Sequence, residues 1–159
     1  MEKEISKDIL YPKHITKEGF QDVPENLNND YKQASIILEL SPKASAALSR
    51  RILQDILQNH YGIKKKNLAD EIESFISIHE NDIPKDLARH IDAVRNIGNF
   101  AAHPKKHIDA GSIIEVEPDE AKWLLELIEN IFEFAFIQSE RNKKRSNALN
   151  EKLQKIVKK

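Results

Sequence analysis

The sequence predicts an all-α fold: a helical bundle of about five helices, preceded by an irregular N-terminal arm and ending in a long basic helix. Apolar residues recur at spacings of three and four over most of the chain, the period of an amphipathic helix. Residues that start and stop helices bracket those periodic stretches. Only four glycines occur in 159 residues, and hydrophobic residues make up 40%, enough for a core.

The N-terminal residues 1–28 hold Pro12 and Pro24 and little periodicity, so they read as an arm docked through Ile9, Leu10, Tyr11 and Phe20. Asn29 or Asp30 is the expected cap of a first helix from Tyr31 to about Leu40. Ser41-Pro42 supplies a hydroxyl at the N-cap and a proline in the first turn, and the second helix should run to His60 or Tyr61 and stop at Gly62. Its apolar arc is Leu48, Ile52, Leu53, Ile56 and Leu57; Arg50 sits at the arc's edge and Arg51 points away beside Asp55. After the basic turn Lys64-Lys65-Lys66, Asn67 caps a third helix through about His79. Asp82 or the turn at Pro84 starts a fourth. Leu87, Ile91, Val94, Ile97 and Ala101 form its stripe, and Gly98 lies inside that stripe. A helical glycine costs about 1 kcal/mol against alanine, which implies close approach of another helix there. Residues 103–117 read as a loop with a short extended piece at Ile113–Val116. Glu117-Pro118-Asp119-Glu120 starts the last helix, since proline and acids suit a first turn. It runs beyond Asn142, with Leu149, Leu153 and Ile156 at helical spacing. The organisation is thus an arm (1–28), a helical domain (29–138) and a basic helical tail (139–159).

Charge and composition exclude several classes. The formal net charge of −1 conceals a segregation. Residues 138–159 hold eight Lys or Arg against two Glu, a net of +6, which leaves −7 on the rest. Such a tail suits nucleic acid or an acidic partner surface, and lysines also suit a solvated helix end. Zero cysteines exclude disulfides and thiolate chemistry and fit a cytoplasmic location. Met1 to Asp8 is charged and no secretory apolar run comes after it. Trp123–Ile137 is too short to span a membrane and carries Glu126, Glu129 and Glu133 on one face. No histidine cluster reaches metal-site quality: His103 and His107 are four apart, but Pro104 interrupts the helix that would align them. No cofactor motif is present. Trp123, Phe132 and Phe136 read as core, whereas Phe134 turns away from the face of the latter two and reads as an interface residue.

The chemistry-bearing stretch is Arg95-Asn96-Ile97-Gly98-Asn99-Phe100-Ala101-Ala102-His103-Pro104. Asp92, Asn96, Asn99 and His103 project within an arc of about 60° opposite the apolar stripe, with Arg95 between. This stretch resembles the signature of the bacterial domain-of-unknown-function family 4145. The block from Leu40-Ser41-Pro42-Lys43 through Arg50-Arg51-Ile52-Leu53 and the Lys66-Asn67-Leu68 helix start agree with it. The similarity spans roughly residues 30–138. That family is similar in turn to the HEPN superfamily, α-helical modules of bacterial defence and toxin systems, many of them dimeric, metal-independent ribonucleases. The chain departs from the pattern twice. Seven residues separate Arg95 from His103, more than the HEPN nuclease motif has, and the cysteine-rich zinc ribbon of many relatives is absent.

The resemblance implies Arg95, Asn96 and His103 as catalytic candidates. An imidazole suits removal of a 2′-hydroxyl proton, and a guanidinium suits a pentavalent phosphorane. Arg50, Asn99, Arg141, Lys143, Lys144 and Arg145 are the nucleic-acid-binding candidates. The leading expectation is a nucleic-acid-associated module of a defence or toxin-type system, RNA or DNA its ligand and metal-independent RNA cleavage its candidate activity. The alternative is a non-catalytic dimerisation or docking module for protein partners, among them restriction or defence proteins. A nucleotide-binding domain is a weaker third. A homodimer with the signature helices near its two-fold axis is expected in the first two cases.

Overall fold

The computed structural model describes residues 19–95 and 116–157 with their side chains, and the backbone alone of residues 96–102. Five helices are built from these residues, and no strand occurs among them. Helix α1 is Glu25–Ile37. Helix α2 is Pro42–Asp55 and continues without a break into a π-helical turn, Ile56–His60. Helices α3 and α4 are Leu68–Ile78 and Lys85–Ala102. Helix α5 is Pro118–Phe132, a π-helical turn Glu133–Ile137, and Gln138–Val157, one uninterrupted helix. The tail is therefore an extension of a core helix rather than a separate element.

Local signals place most ends. The Ser41 hydroxyl accepts from the Ala44 amide at 3.3 Å, with Pro42 at the first helical position. The Asn67 side chain accepts from the Asp70 amide at 2.9 Å. The Glu120 carboxylate reaches back to the Glu117 amide at 3.2 Å, as in a capping box, beside Pro118. Gly62 takes φ +71° and ends α2, and the Ile63 amide closes onto the Leu57 carbonyl at 2.8 Å. This is the left-handed helix stop that glycine adopts without steric cost.

Two expectations are corrected. Helix α1 begins at Glu25, six residues before Tyr31, directly after Pro24. Asn29 and Asp30 therefore lie inside it and cap nothing. The neighbouring Asn28 ties down the preceding turn, its side chain accepting from the Phe20 amide at 2.8 Å and donating to the Phe20 and Val23 carbonyls. Arg51 does not face Asp55. It lies 3.8 Å from Asp30 of α1, while Asp55 accepts from Asn26 and Asn59. The expected docking of Ile9, Leu10 and Tyr11, the packing around Gly98 and the Ile113–Glu115 part of the extended piece lie outside the described side chains.

Helix α2 is the centre of the bundle, packed on both α1 and α5, so it buries more than its apolar arc. Ser45 and Ser49 are buried as well, and each hydroxyl is satisfied by a carbonyl: Ala34 at 2.8 Å and Ser45 at 3.0 Å. Phe20, Tyr31 and Phe132 meet edge to face with centroids 5.4–5.8 Å apart, joining the N-terminal segment, α1 and α5. The fully buried Glu71 of α3 accepts from the Gln54 and Gln58 side-chain amides at 3.0 and 2.6 Å and from the Lys65 backbone amide at 3.3 Å. A buried carboxylate needs such donors, and here they lock α3 to the end of α2.

Candidate functional site: the signature helix, the groove beside it and the C-terminal helix

The signature residues ride on α4, which packs between α3 and α5 through Leu87, Ile91 and Val94. Arg95 emerges half-exposed, and its Nη1 donates to Asp92 Oδ1 one turn earlier at 2.9 Å. The side chains of Asn96 and Asn99, and all of His103, lie outside the described residues. Arg50 is on α2, half-buried, and burial holds its guanidinium below its ordinary pKa. Arg141, Lys143, Lys144 and Arg145 stand on the exposed last stretch of α5. Arg141 lies 3.5 Å from Glu133, and Lys143 donates to Glu140 at 2.9 Å, which lowers the pKa of that carboxyl. The sequence-predicted residues that are described are thus spread over α2, α4 and α5.

A groove that no sequence motif marks lies between the start of α4 and the π turn of α5. Its volume is about 290 Å³. Leu87 and Phe134 line it with apolar surface, Asp86 (2.9 Å from Arg89) and the Arg141-paired Glu133 with carboxylates, with His90 on the α4 side and Gln138 where the long helix leaves. His90 also meets the Trp123 ring, edge to face, at 5.9 Å. The one legible signal is Phe134, which falls out of step with Phe132 and Phe136. Two residues correspond to about 200° of helix turn, so Phe134 leaves the face of Phe132 and lines the groove beside α4.

The two π turns touch each other. His60, at the end of the one in α2, packs on Phe136 with centroids 4.5 Å apart and is hydrogen-bonded to the Ala135 backbone. Its pKa lies below the ordinary histidine value, mainly through desolvation and secondarily through Lys143. One turn before the π turn of α5, Glu129 accepts from the Tyr31 hydroxyl at 2.5 Å, and burial together with that carboxylate pushes the phenol far up. The acidic face of α5 is therefore partly a polar seam against α1.

Beyond Ile137 the character of α5 changes. None of Gln138–Val157 is buried. Leu149, Leu153, Ile156 and Val157 are 58, 50, 69 and 83% exposed. They form one stripe, flanked on one side by Arg145 and Lys152. Among the described residues no group of three or more His, Cys, Asp or Glu could hold a metal ion, and no helix is long and apolar enough to cross a membrane.

An all-α bundle centred on α2, with the signature helix packed beside one long helix, is the class of protein this architecture defines. Within that class the chain belongs to a family described as a domain of unknown function, DUF4145, whose model matches residues 32–159. The match takes in the exposed C-terminal helix as well as the bundle. No curated protein and no solved structure matches the chain.

Proposed function

We propose that this domain is a protein-docking module whose C-terminal helix is the docking element. One observation carries the reading: a helix of 20 residues buries none of them yet keeps four large apolar residues in one stripe. Lysines and arginines alone would serve a phosphate backbone, which gives no role to exposed Leu149, Leu153 and Ile156. An amphipathic helix that lays its apolar face in a groove needs them. The basic flanks then steer the helix to an acidic partner surface.

The competing reading is the metal-independent RNase, with Arg95, Asn96 and His103 in catalytic roles. Arg95 stands half-exposed in an i,i+3 pair with Asp92 at 2.9 Å, and such a surface pair exchanges readily for another anion. The test has two arms. Full-length protein incubated with single-stranded and structured RNA in EDTA should leave both intact. The triple substitution Leu149→Ala, Leu153→Ala, Ile156→Ala should leave the melting temperature of the monomer within about 2 °C, as expected where no packing is lost. RNA cleavage abolished by Arg95→Ala and by His103→Ala would overturn the proposal. So would a melt that the triple substitution lowers strongly, since those residues would then serve the fold.

A further inference from the structure

The tail and the groove have complementary surfaces. The groove has apolar lining from Leu87 and Phe134 and carboxylates from Asp86 and Glu133, which lie 2.9 Å from Arg89 and 3.5 Å from Arg141 in exposed ion pairs that a basic partner can exchange. The stripe Leu149, Leu153, Ile156 is apolar and is flanked on one side by Arg145 and Lys152. Within one chain the two cannot meet. Gln138 belongs to the groove edge, and α5 is uninterrupted from there to Val157. At 1.5 Å per residue the centre of the stripe lies about 22 Å away along a rigid helix. Gln138 and Leu149 are eleven residues apart, within about 20° of three full turns, so groove edge and stripe open on the same face. An antiparallel second copy brings its stripe over the first copy's groove by a two-fold rotation, and the same rotation makes the reciprocal contact. The segregation of charge, +6 on residues 138–159 and −7 elsewhere, favours the same pairing of tail on body over tail on tail.

We infer that two copies of this chain exchange their C-terminal helices, each seating Leu149, Leu153 and Ile156 in the groove that the other forms between α4 and the π turn of α5. This rests on the docking reading above and names the partner. It also differs from a dimer centred on the signature helices: the two-fold axis passes beside the tail, and the Arg95 face of α4 stays outside the contact.

A charge-exchange experiment tests it on the full chain. One variant reverses the rim (Asp86→Lys with Glu133→Lys) and a second reverses the tail (Arg145→Glu with Lys152→Glu). All four side chains are at least partly exposed, and circular dichroism should show both variants helical. Where reversal disturbs folding, Asp86→Asn with Glu133→Gln and Arg145→Gln with Lys152→Gln serve instead. Light scattering and sedimentation at tens of micromolar should show a wild-type dimer. Each variant alone should dissociate about tenfold more readily, or worse, because it spoils both contacts. An equimolar mixture of the two reversed variants matches altered tail to altered rim in one contact and native tail to native rim in the other, so heterodimers should form in preference to either homodimer. A wild-type monomer at every concentration overturns the inference. A dimer broken by the tail variant but untouched by the rim variant, with no recovery on mixing, overturns it in favour of tail-to-tail pairing. Neither result touches the docking reading itself, which falls only to RNA cleavage or to leucines that hold the monomer together.

Discussion

Helix α5 is two helices in energetic terms, although its backbone is one. Pro118–Phe132 buries seven residues against α2 and α4, whereas Gln138–Val157 buries none. Both halves carry apolar residues at helical spacing, so periodicity alone does not separate them. The first half is helical because tertiary packing holds it there. The second is helical through intrinsic propensity, local ion pairs such as Lys143–Glu140, and extension of a helix already nucleated. A helix of that second kind can be ordered further by a partner without disturbing the core, which is what a docking element requires.

The largest contrast should appear on deleting apolar side chains from the two halves. Phe132 is fully buried and touches Phe20, Tyr31 and Phe136. Phe132→Ala should cost about 3–5 kcal/mol of unfolding free energy. Leu153→Ala, at a dilution where the chain is monomeric, should stay within about 0.5 kcal/mol. Urea denaturation of both variants measures this. A cost for Leu153→Ala close to that of a buried leucine, about 2 kcal/mol or more, would show that the tail packs on its own bundle and would erase the distinction.

A matched pair of exposed positions sharpens the comparison at smaller cost. Lys122 and Lys152 are both exposed and both inside α5. Lys→Gly removes about 0.7 kcal/mol of helix propensity at either site. At Lys122 the loss should appear in global stability, because that turn unfolds only with the core. At Lys152 it should appear as reduced helicity by circular dichroism, with the melting midpoint unchanged, because the tail frays by itself. A midpoint lowered equally by both would mean that the long helix melts as one unit.

Legibility in the sequence divides along the same line between local and tertiary causes. Ser41, Asn67, Gly62 and the Glu117-Pro118 start act within a few residues, and each sits where local chemistry places it. The start of α1 is ambiguous in sequence because Asn28-Asn29-Asp30 offers three cap-forming residues in a row. The Phe20 backbone decides the matter by engaging Asn28 as a brace, and the helix starts earlier, after Pro24. Arg51 pairs with Asp30 rather than Asp55 because α1 lies alongside α2, a tertiary fact invisible in one helix. The groove forms only where the start of α4 meets the π turn of α5, a tertiary fact, so in the sequence only the phase of Phe134, about 200° from Phe132, hints at it. The spread of Arg50, Arg95 and the tail cations over three helices is equally beyond a linear reading. The lack of burial along Gln138–Val157 is also illegible: Leu149, Leu153 and Ile156 have the same spacing whether covered or bare.

The smallest effect expected lies at the joint between the halves. His60 packs on Phe136, is hydrogen-bonded to the Ala135 backbone, and feels Lys143 from the first turns of the tail. Desolvation is the main cause of its lowered pKa, and the Lys143 charge adds to it. In the unfolded chain the imidazole returns to an ordinary value of about 6.5. Above that pH both states are neutral and folding is unaffected. As pH falls below it the unfolded state takes up the proton first, so the folded state loses stability until its own lower pKa is reached. Wild-type protein should therefore melt earlier as the pH drops below about 6.5, and His60→Gln should lose part of that dependence. Carboxylates common to both proteins cancel in the difference. Lys143→Gln removes the second cause, and should narrow the window without abolishing it. If His60→Gln and wild type trace parallel curves, the contact between the π turns is not what couples the tail to the bundle. Narrowing by Lys143→Gln would instead show that the first turns of the exposed helix still report electrostatically on the core.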